Sequence, residues 1–109
     1  MTEKELSAWK KERPVYRGVF TYFPDALLEV AYCSYIGNQK HSPGSEEIKW
    51  VRDASNDHPD ALLRHLSSVE KSELDDDGIM HAAKVAWRSL AFLQTTLDKK
   101  KEDGEYPIV

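Results

Sequence analysis

Four acidic side chains stand at helical spacings in two separate stretches of the sequence. Asp25 and Glu29 are four residues apart, and Asp57 and Asp60 are three apart, so each pair shares one helix face. Like charges at such spacings repel each other by roughly a few tenths of a kcal/mol, and a divalent cation would remove that penalty. Hard cations prefer carboxylate oxygens. We therefore predict that all four side chains are metal ligands, with a solvated acidic face as the alternative.

Histidines accompany the second acidic pair. His58 and His65 are seven residues apart and flank Asp60 in one short stretch. Imidazole titrates near neutral pH and can act as a general base. His58, His65 and Asp60 are therefore the candidate catalytic residues. Helix capping by Asp57 and an Asp60–Arg64 helix pair explain part of this pattern without any function.

Basic residues and a tryptophan form a second kind of pattern. His81, Lys84 and Arg88 are spaced three and four apart near the start of a helical stretch, where the helix dipole disfavours cations, so a bound anion would explain them. Cations suit phosphates, and the ring of Trp50 suits a nucleotide base. A solvated basic face, and a Trp50 that anchors its loop to the core, are the alternatives. The candidate nucleotide- and phosphate-binding residues are Lys40, His41, Trp50, Arg64, His81, Lys84 and Arg88.

The elements that would position these side chains are predicted to be helices. A short helix is expected over residues 2–12, because Thr2 and Glu5 have capping-box spacing and Pro14 follows. Residues 15–23 are aromatic and β-prone, so we expect an extended segment there.

The first long helix is predicted to begin at Pro24 and to end before Gly37, which suits the residue after a helix. Residues 37–56 then form a long connection. A connection of this length in a small domain is usually either functional or disordered. Because it contains Trp50, we expect it to be ordered.

Two more helices are predicted over residues 57–69 and 78–98, with Asn56 or Asp57 as the cap of the first and Asp77 as a candidate cap of the second. The acidic run 75–77 would complement the dipole of the last helix. That helix carries apolar residues at alternating spacings of four and three, a seam suited to bundle packing. The seam consists of Ile79, Ala83, Ala86, Leu90, Leu93 and Leu97.

These elements predict an all-α fold: a small bundle of three main helices plus a short N-terminal helix. We expect an N-terminal arm over residues 1–13, one domain over 14–98 and a polar tail over 99–109. So few helices do not easily enclose a core, so we predict that a homo-oligomer, a dimer or larger, completes the bundle.

Composition limits the class of protein and of partner. The chain has 109 residues and a formal net charge of −4, which suits one domain and argues against a binder of duplex nucleic acid. No apolar run approaches the ~18 residues that a membrane span needs. The charged N-terminus lacks the apolar stretch of a signal peptide. We expect a cytoplasmic protein without membrane contact.

Three stretches of the sequence together resemble a known family. They are YFPDALLEVAYCSYIGNQKHSPG, DHPDALLRHL and DDDGIMHAAKVAWRSLAFLQ. They look like small phage proteins of the dATP/dGTP diphosphohydrolase family, related in type to the MazG-like all-α nucleotide pyrophosphohydrolases. The resemblance covers roughly residues 14–97.

The resemblance implies a helical, oligomeric domain that would act in the host cytoplasm if a phage encodes it. It also implies Mg²⁺, or Mn²⁺, held by clustered helix carboxylates, and attack of water between the α- and β-phosphates. The chain departs from the MazG-like signature, a Glu-Glu-x-x-Glu helix followed by Glu-x-x-Asp. It has Asp25-x-x-x-Glu29 and Asp57-x-x-Asp60 instead.

Two functions follow as hypotheses. The first is metal-dependent hydrolysis of (deoxy)purine nucleoside triphosphates to monophosphate and pyrophosphate. The alternative is a non-catalytic oligomer that binds and sequesters a nucleotide, such as a cyclic signalling nucleotide, in the manner of a phage anti-defence protein. The incomplete carboxylate set favours the alternative, whereas the coincidence of acidic and basic helix faces favours the first.

Overall fold

The computed structural model describes residues 1–108, which fold as four α-helices. They are α1 (Glu3–Lys11), α2 (Pro24–His41), α3 (His58–Ser68) and α4 (His81–Glu102). Within these residues there is no strand, and the prediction of an all-α bundle of three main helices plus a short one is confirmed. None of the described helices has the length and apolar character that crossing a membrane requires.

Helix α1 begins at the capping box that its sequence predicts. The hydroxyl of Thr2 accepts from the backbone N–H of Glu5 at 3.1 Å, and the Glu5 carboxylate accepts from the Thr2 N–H at 3.2 Å. Trp9 packs edge-on against Tyr106, with their ring centroids 5.3 Å apart. The contact ties the N-terminal helix to the C-terminal segment.

The prediction of an extended segment over residues 15–23 is wrong. Tyr16–Phe20 form one π-helical turn, closed by a 2.9 Å bond from the Thr21 N–H to the Tyr16 carbonyl. The Tyr16 and Phe20 rings stack with centroids 5.6 Å apart. Because β-propensity reflects packing against a neighbouring strand, and the described chain has none, the aromatic residues pack along a helical turn instead.

Helix α2 runs past Gly37 to His41, so its predicted end was too early. The positive backbone angle falls instead at Gly44, with φ of 79°. The Gln39 side chain stabilises this later end, because it donates to the Ser45 carbonyl and accepts from the Gly44 N–H, both at 3.1 Å. The connection to α3 is therefore shorter than predicted, and it contains one 3₁₀ turn, Arg52–Ala54.

Of the two predicted aspartate caps, Asp57 occupies the predicted position before α3, whereas Asp77 does not precede α4 directly. Asp57 precedes α3 but its side chain bonds Ser55 and Arg64 rather than the helix N–H groups. The residue that precedes α4 is Met80, and Asp77 lies in a turn before it. Both carboxylates pair with cations instead: Asp57 with Arg64 of α3 and Arg88 of α4, and Asp77 with Lys40 of α2 and Lys84 of α4.

The acidic run before α4 folds into a tight turn. The Gly78 N–H donates to the Asp75 carbonyl at 2.9 Å, and Gly78 has φ of 81°, a backbone region that glycine adopts without penalty. The Asp75 N–H in turn donates to the Ile79 carbonyl at 2.8 Å. The turn directs Asp75 and Asp77 back over the first turns of α4, whereas the sequence analysis assigned them only to the dipole of that helix.

Helix α4 packs against both α3 and α2. Small side chains form its contact face: Ala83 and Ala91 are 6% and 3% exposed, and Ala61 of α3 is 1% exposed. Two members of the predicted seam, Leu90 and Leu93, are instead more than half exposed, at 51% and 55%. Their exposure within one chain leaves an apolar surface, and the oligomer that would cover it stays a prediction.

Two adjacent alanines of α4 test this packing. Ala83 is buried and Ala82 is exposed. We expect Ala83→Leu to lower the free energy of unfolding by about 1–3 kcal/mol, because the added atoms overpack the helix contact. Ala82→Leu, the matched control, should change it by less than about 0.5 kcal/mol. Urea unfolding followed by circular dichroism measures both, and equal effects would contradict the assigned helix faces.

Candidate functional site

A cleft of about 190 Å³, here called the polar cleft, opens between α2 and the start of α4. Helix α2 supplies Lys40, α3 supplies His65, the acidic turn supplies Asp77, and α4 supplies Lys84 and Arg88. Its apolar wall consists of Cys33, Ile36, Gly37, Ile79 and Trp87. The cleft thus brings together side chains from the three main helices and the acidic turn.

Lys84 is the centre of an ion-pair network in this cleft. Its ammonium lies 2.6 Å from the Asp75 carboxylate and 2.7 Å from that of Asp77. Asp77 also accepts from Lys40 at 2.6 Å. Because Lys40 belongs to α2 and Lys84 to α4, the Asp77 carboxylate links the two helices.

Burial and pairing act on these groups in opposite directions. Partial burial alone would raise the pKa of Asp77, but hydrogen bonds from Lys40 and Lys84 outweigh it and hold the pKa far below the ordinary range. Partial burial alone would lower the pKa of Lys84, but its bonds to Asp75 and Asp77 raise the pKa instead. Asp77 and Lys84 are therefore both charged at neutral pH.

Next to this network lies a cluster of His65, Asp75 and His81, here called the histidine–aspartate cluster. The Nδ1 atoms of the two histidines are 3.0 Å apart, and the Asp75 carboxylate is 3.9 Å from His65 Nδ1. One potential ligand atom from each residue lies within 4.8 Å of the others. Within residues 1–108 this is the one group of three or more such side chains that could hold a metal ion.

The donor set of the cluster suits a transition metal. Partial burial, followed by the nearby charge of Lys84, lowers the pKa of His65, so its imidazole is neutral at neutral pH, as a ligand must be. Two imidazoles and one carboxylate match Mn²⁺, Fe²⁺, Co²⁺ or Zn²⁺ better than Mg²⁺, which prefers oxygen ligands.

Arg88 is held in place at the other side of the polar cleft. Its guanidinium donates to Ser55 Oγ at 3.1 Å and to His58 Nδ1 at 3.0 Å, and lies 3.7 Å from the Asp57 carboxylate. His58 is 4% exposed. The sequence predicted His58 as catalytic, but the structure places it behind Arg88, where it positions the guanidinium.

A second cleft of about 420 Å³, here called the tryptophan cleft, adjoins the first. The rings of Trp50 and Trp87 meet edge-on there, with centroids 5.5 Å apart, and Trp87 Nε1 donates to Ser34 Oγ at 2.8 Å. The two clefts share Gly37, Cys33 and Trp87 as lining residues. A polar and an aromatic cleft are therefore neighbours on α2 and α4.

The structure brings many of the predicted site residues together and separates others. Those that line the polar cleft or the adjoining cluster are Lys40, His65, His81, Lys84 and Arg88. His41 and Trp50 line the tryptophan cleft.

The four carboxylates predicted to hold the metal are dispersed. Asp25 and Glu29 line a separate depression beside Met80 and Ala83. Asp60 and Arg64 line a shallow depression on the outer face of α3, and Asp57 is paired with Arg64 and Arg88. No group of three among them forms a metal-binding cluster in the described residues.

Sequence analysis missed the two carboxylates that matter most in this geometry. Asp75 and Asp77 stand in the run Asp-Asp-Asp-Gly, where Asp-Gly is itself a turn signal. The Asp-Gly pair therefore indicates a turn, which can direct the aspartate side chains toward the next helix. Their partners Lys40 and His65 cannot be identified from the sequence, because they are distant along the chain.

The fold and the clefts define a small helical domain with a cationic, histidine-containing site. The family described as dATP/dGTP diphosphohydrolase, N-terminal, matches residues 3–105. The chain belongs to this family, which confirms the resemblance drawn from its sequence. No curated protein and no solved structure matches the chain.

Substitution of two neighbouring aspartates tests whether the ion pairs around Lys84 stabilise the fold. We expect Asp77→Asn to lower the free energy of unfolding at pH 7 by about 1.5–3 kcal/mol, since it removes charged hydrogen bonds to two lysines. The exposed Asp76 is the matched control, and Asp76→Asn should change it by less than about 0.5 kcal/mol.

The pH dependence of that difference has a definite sign. Because the fold lowers the pKa of Asp77, its contribution to stability is complete above the unfolded pKa of about 3.9 and declines as pH falls below it. Thermal unfolding of metal-free wild type and Asp77→Asn from pH 7 to pH 2 measures this. A difference that stays constant down to pH 2 would exclude the ion pairs as its cause.

Proposed function

We propose that this chain hydrolyses purine deoxynucleoside triphosphates to the monophosphate and pyrophosphate in the polar cleft. The family description, dATP/dGTP diphosphohydrolase, supports this substrate class. The observation that carries the proposal is the contact between the histidine–aspartate cluster and the cations of the cleft, because Asp75 belongs to both. Metal-binding and phosphate-binding groups are thereby adjacent.

Three cations at the polar cleft, Lys40, Lys84 and Arg88, favour an anionic ligand there. Lys84 is bonded to both Asp75 and Asp77, Lys40 shares Asp77, and Arg88 lies 3.7 Å from Asp57. Phosphate oxygens accept from lysine and arginine in charge-assisted hydrogen bonds. Lys40 is 55% exposed at its side chain, so it can turn from Asp77 to a phosphate with little loss of packing.

The proposed cofactor is a divalent transition-metal ion such as Mn²⁺, because two imidazoles suit such an ion better than Mg²⁺. His65, His81 and Asp75 would hold it, whereas the carboxylates expected from the sequence lie apart. When bound, a divalent cation would polarise phosphate oxygens and template the attacking water. Arg88, held by His58 and Ser55, would stabilise charge that develops on the phosphates.

The reaction breaks one phosphoanhydride bond. The oxygen of water bonds to the α-phosphorus, the bond from that phosphorus to the α,β-bridging oxygen breaks, and pyrophosphate leaves while a proton is released to solvent. The residues of this chain bind the triphosphate and orient it. The catalytic role predicted for Asp60 has no support from its position on the outer face of α3.

A second function is favoured by one observation: the four acidic residues that the sequence analysis proposed as metal ligands do not form a metal-binding group in the described residues. A protein that only binds and sequesters a nucleotide would need the cations of the polar cleft and no metal. Binding would then persist in EDTA, and the nucleotide would be recovered intact.

Activity measurements separate these functions. We expect purified protein to release pyrophosphate from dATP or dGTP with Mn²⁺, and none with EDTA. His81→Gln should lower kcat/KM by at least about a hundredfold, because it removes a metal ligand. The exposed Asp76→Asn is the control and should keep wild-type activity. No pyrophosphate from either nucleotide with any divalent ion would refute the hydrolase, and a larger loss from Asp60→Asn than from His81→Gln would refute this site.

Metal binding provides a readout that does not depend on activity. Titration with Co²⁺ should give visible d–d absorption that saturates at one ion per chain, and His65→Gln should weaken binding by at least about tenfold. Asp25→Asn lies outside the histidine–aspartate cluster and should bind like wild type. Unchanged binding in both variants would contradict the assigned ligands.

A further inference from the structure

The chain exposes more surface than a compact monomer of its mass. Its accessible surface is 8543 Å², whereas a folded monomeric protein of 12.5 kDa exposes about 6,200 Å². Its radius of gyration, 16.3 Å, likewise exceeds the value of about 13 Å for a compact domain of this length. The excess surface of roughly 2,300 Å² is close to the area that each partner buries in a large homodimer interface, about 1,000–2,500 Å².

Part of this surface is an apolar stripe on α4, here called the leucine stripe. It consists of Ala86, Leu90, Leu93 and Leu97, at spacings of four, three and four residues that keep them on one helix face. Leu90 and Leu93 are both more than half exposed. Lys84, which lines the polar cleft, stands nine residues before Leu93 and hence about 180° around the helix. A partner on the leucine stripe therefore does not cover the polar cleft.

An apolar depression of about 320 Å³, here called the alanine depression, adjoins the stripe between α2 and the first half of α4. Val30, Ala83 and Ala86 line it, and Asp25 and Glu29 of α2 line it as well. Ala86 belongs to both the depression and the stripe, so the two surfaces are contiguous. Because alanine side chains are small, the depression has room for a large apolar side chain of another molecule.

The charges beside these two surfaces are opposite in sign. Asp25 and Glu29 make no ion pair within residues 1–108, although like charges four residues apart repel each other. The last turn of α4, beyond the leucine stripe, carries three consecutive cations, residues 99–101. Lys100 contacts Glu105 at 3.5 Å, yet its side chain is 48% exposed. One end of the apolar surface is thus acidic and the other basic.

We propose that two copies of the chain pair antiparallel along α4, with Leu93 of each copy in the alanine depression of the other. The helices cross between residues 89 and 90, so Leu93 lies opposite Ala86 of the second copy. In this register Lys100 reaches residues 79–80 of the second copy, where Asp25 lines the depression beside Met80. A two-fold axis relates the copies, so each contact occurs twice. The acidic pair of α2 then binds cations of the second copy.

A parallel pairing along the same stripe fits less well. It would place leucines against leucines and leave the alanine depression of each copy empty, whereas packing favours large residues opposite small ones. It would also bring the cations at residues 99–101 of both copies together, where they repel each other. Side-chain size and charge therefore both favour the antiparallel arrangement.

Sedimentation equilibrium of two neighbouring variants tests the surface. We expect the wild type to be a dimer, and Leu93→Glu to raise the dimer Kd by at least about a hundredfold, because it places a charge in an apolar contact. The matched control is Phe92→Glu, since Phe92 is 49% exposed but lies about 100° around the helix; its Kd should change by less than about threefold. A wild type that stays monomeric up to about 0.1 mM, or equal losses in both variants, would overturn the proposal.

Charge reversal tests the register with exposed residues only, so it remains informative if Leu93→Glu fails to fold. Asp25→Lys and Lys100→Asp should each raise the dimer Kd by about three- to tenfold, because each places like charges together. The double variant should return to within about threefold of the wild type. The exposed Glu12→Lys is the control for net charge and should not change Kd. A double variant weaker than either single variant would overturn the antiparallel register.

Discussion

The arrangement of this domain depends on one partly buried cation and the turn that encloses it. Lys84 lies between Asp75 and Asp77, and its side chain is 18% exposed. A charge with so little access to water is stable only when it is paired and hydrogen-bonded. The Asp-Asp-Asp-Gly turn provides that pairing, and through Asp77 it also binds Lys40 of α2. The same interaction that closes the bundle therefore leaves Asp75 beside two histidines, so stability and candidate chemistry share one residue.

The apolar core that supports this ion-pair network is small. Alanines make the buried contacts between α3 and α4, and large side chains such as Leu28 and Leu93 are mostly exposed, at 68% and 55%. A chain of this length buries a modest share of its surface, and small contact residues reduce the apolar gain further. Polar contacts across the clefts thus contribute more to the position of α2 than they would in a domain with a large apolar core.

Local sequence signals predicted the helices well and their ends less well. Thr2 and Glu5 identified the start of α1 because both partners lie within one turn. Gly37 misled, because glycine permits a helix end but does not enforce one, and Gln39 bonded residues beyond it. The site was predicted in part: the basic residues of α4 were identified, but the metal ligands were sought among carboxylates four or three apart. The structure instead groups His65, Asp75 and His81, which no single helical period connects.

By itself, the sequence determined the all-α class, the three main helices and the cationic residues of α4, because helical period and capping act over a few residues. It also determined the family, since the match extends from residue 3 to 105. Only the tertiary structure decided which ionisable groups meet. Asn38 and Trp87, for example, line one cleft although they are far apart in the chain. Such proximity depends on how the helices pack and on how the acidic turn folds back, and neither is encoded in the spacing along any one element.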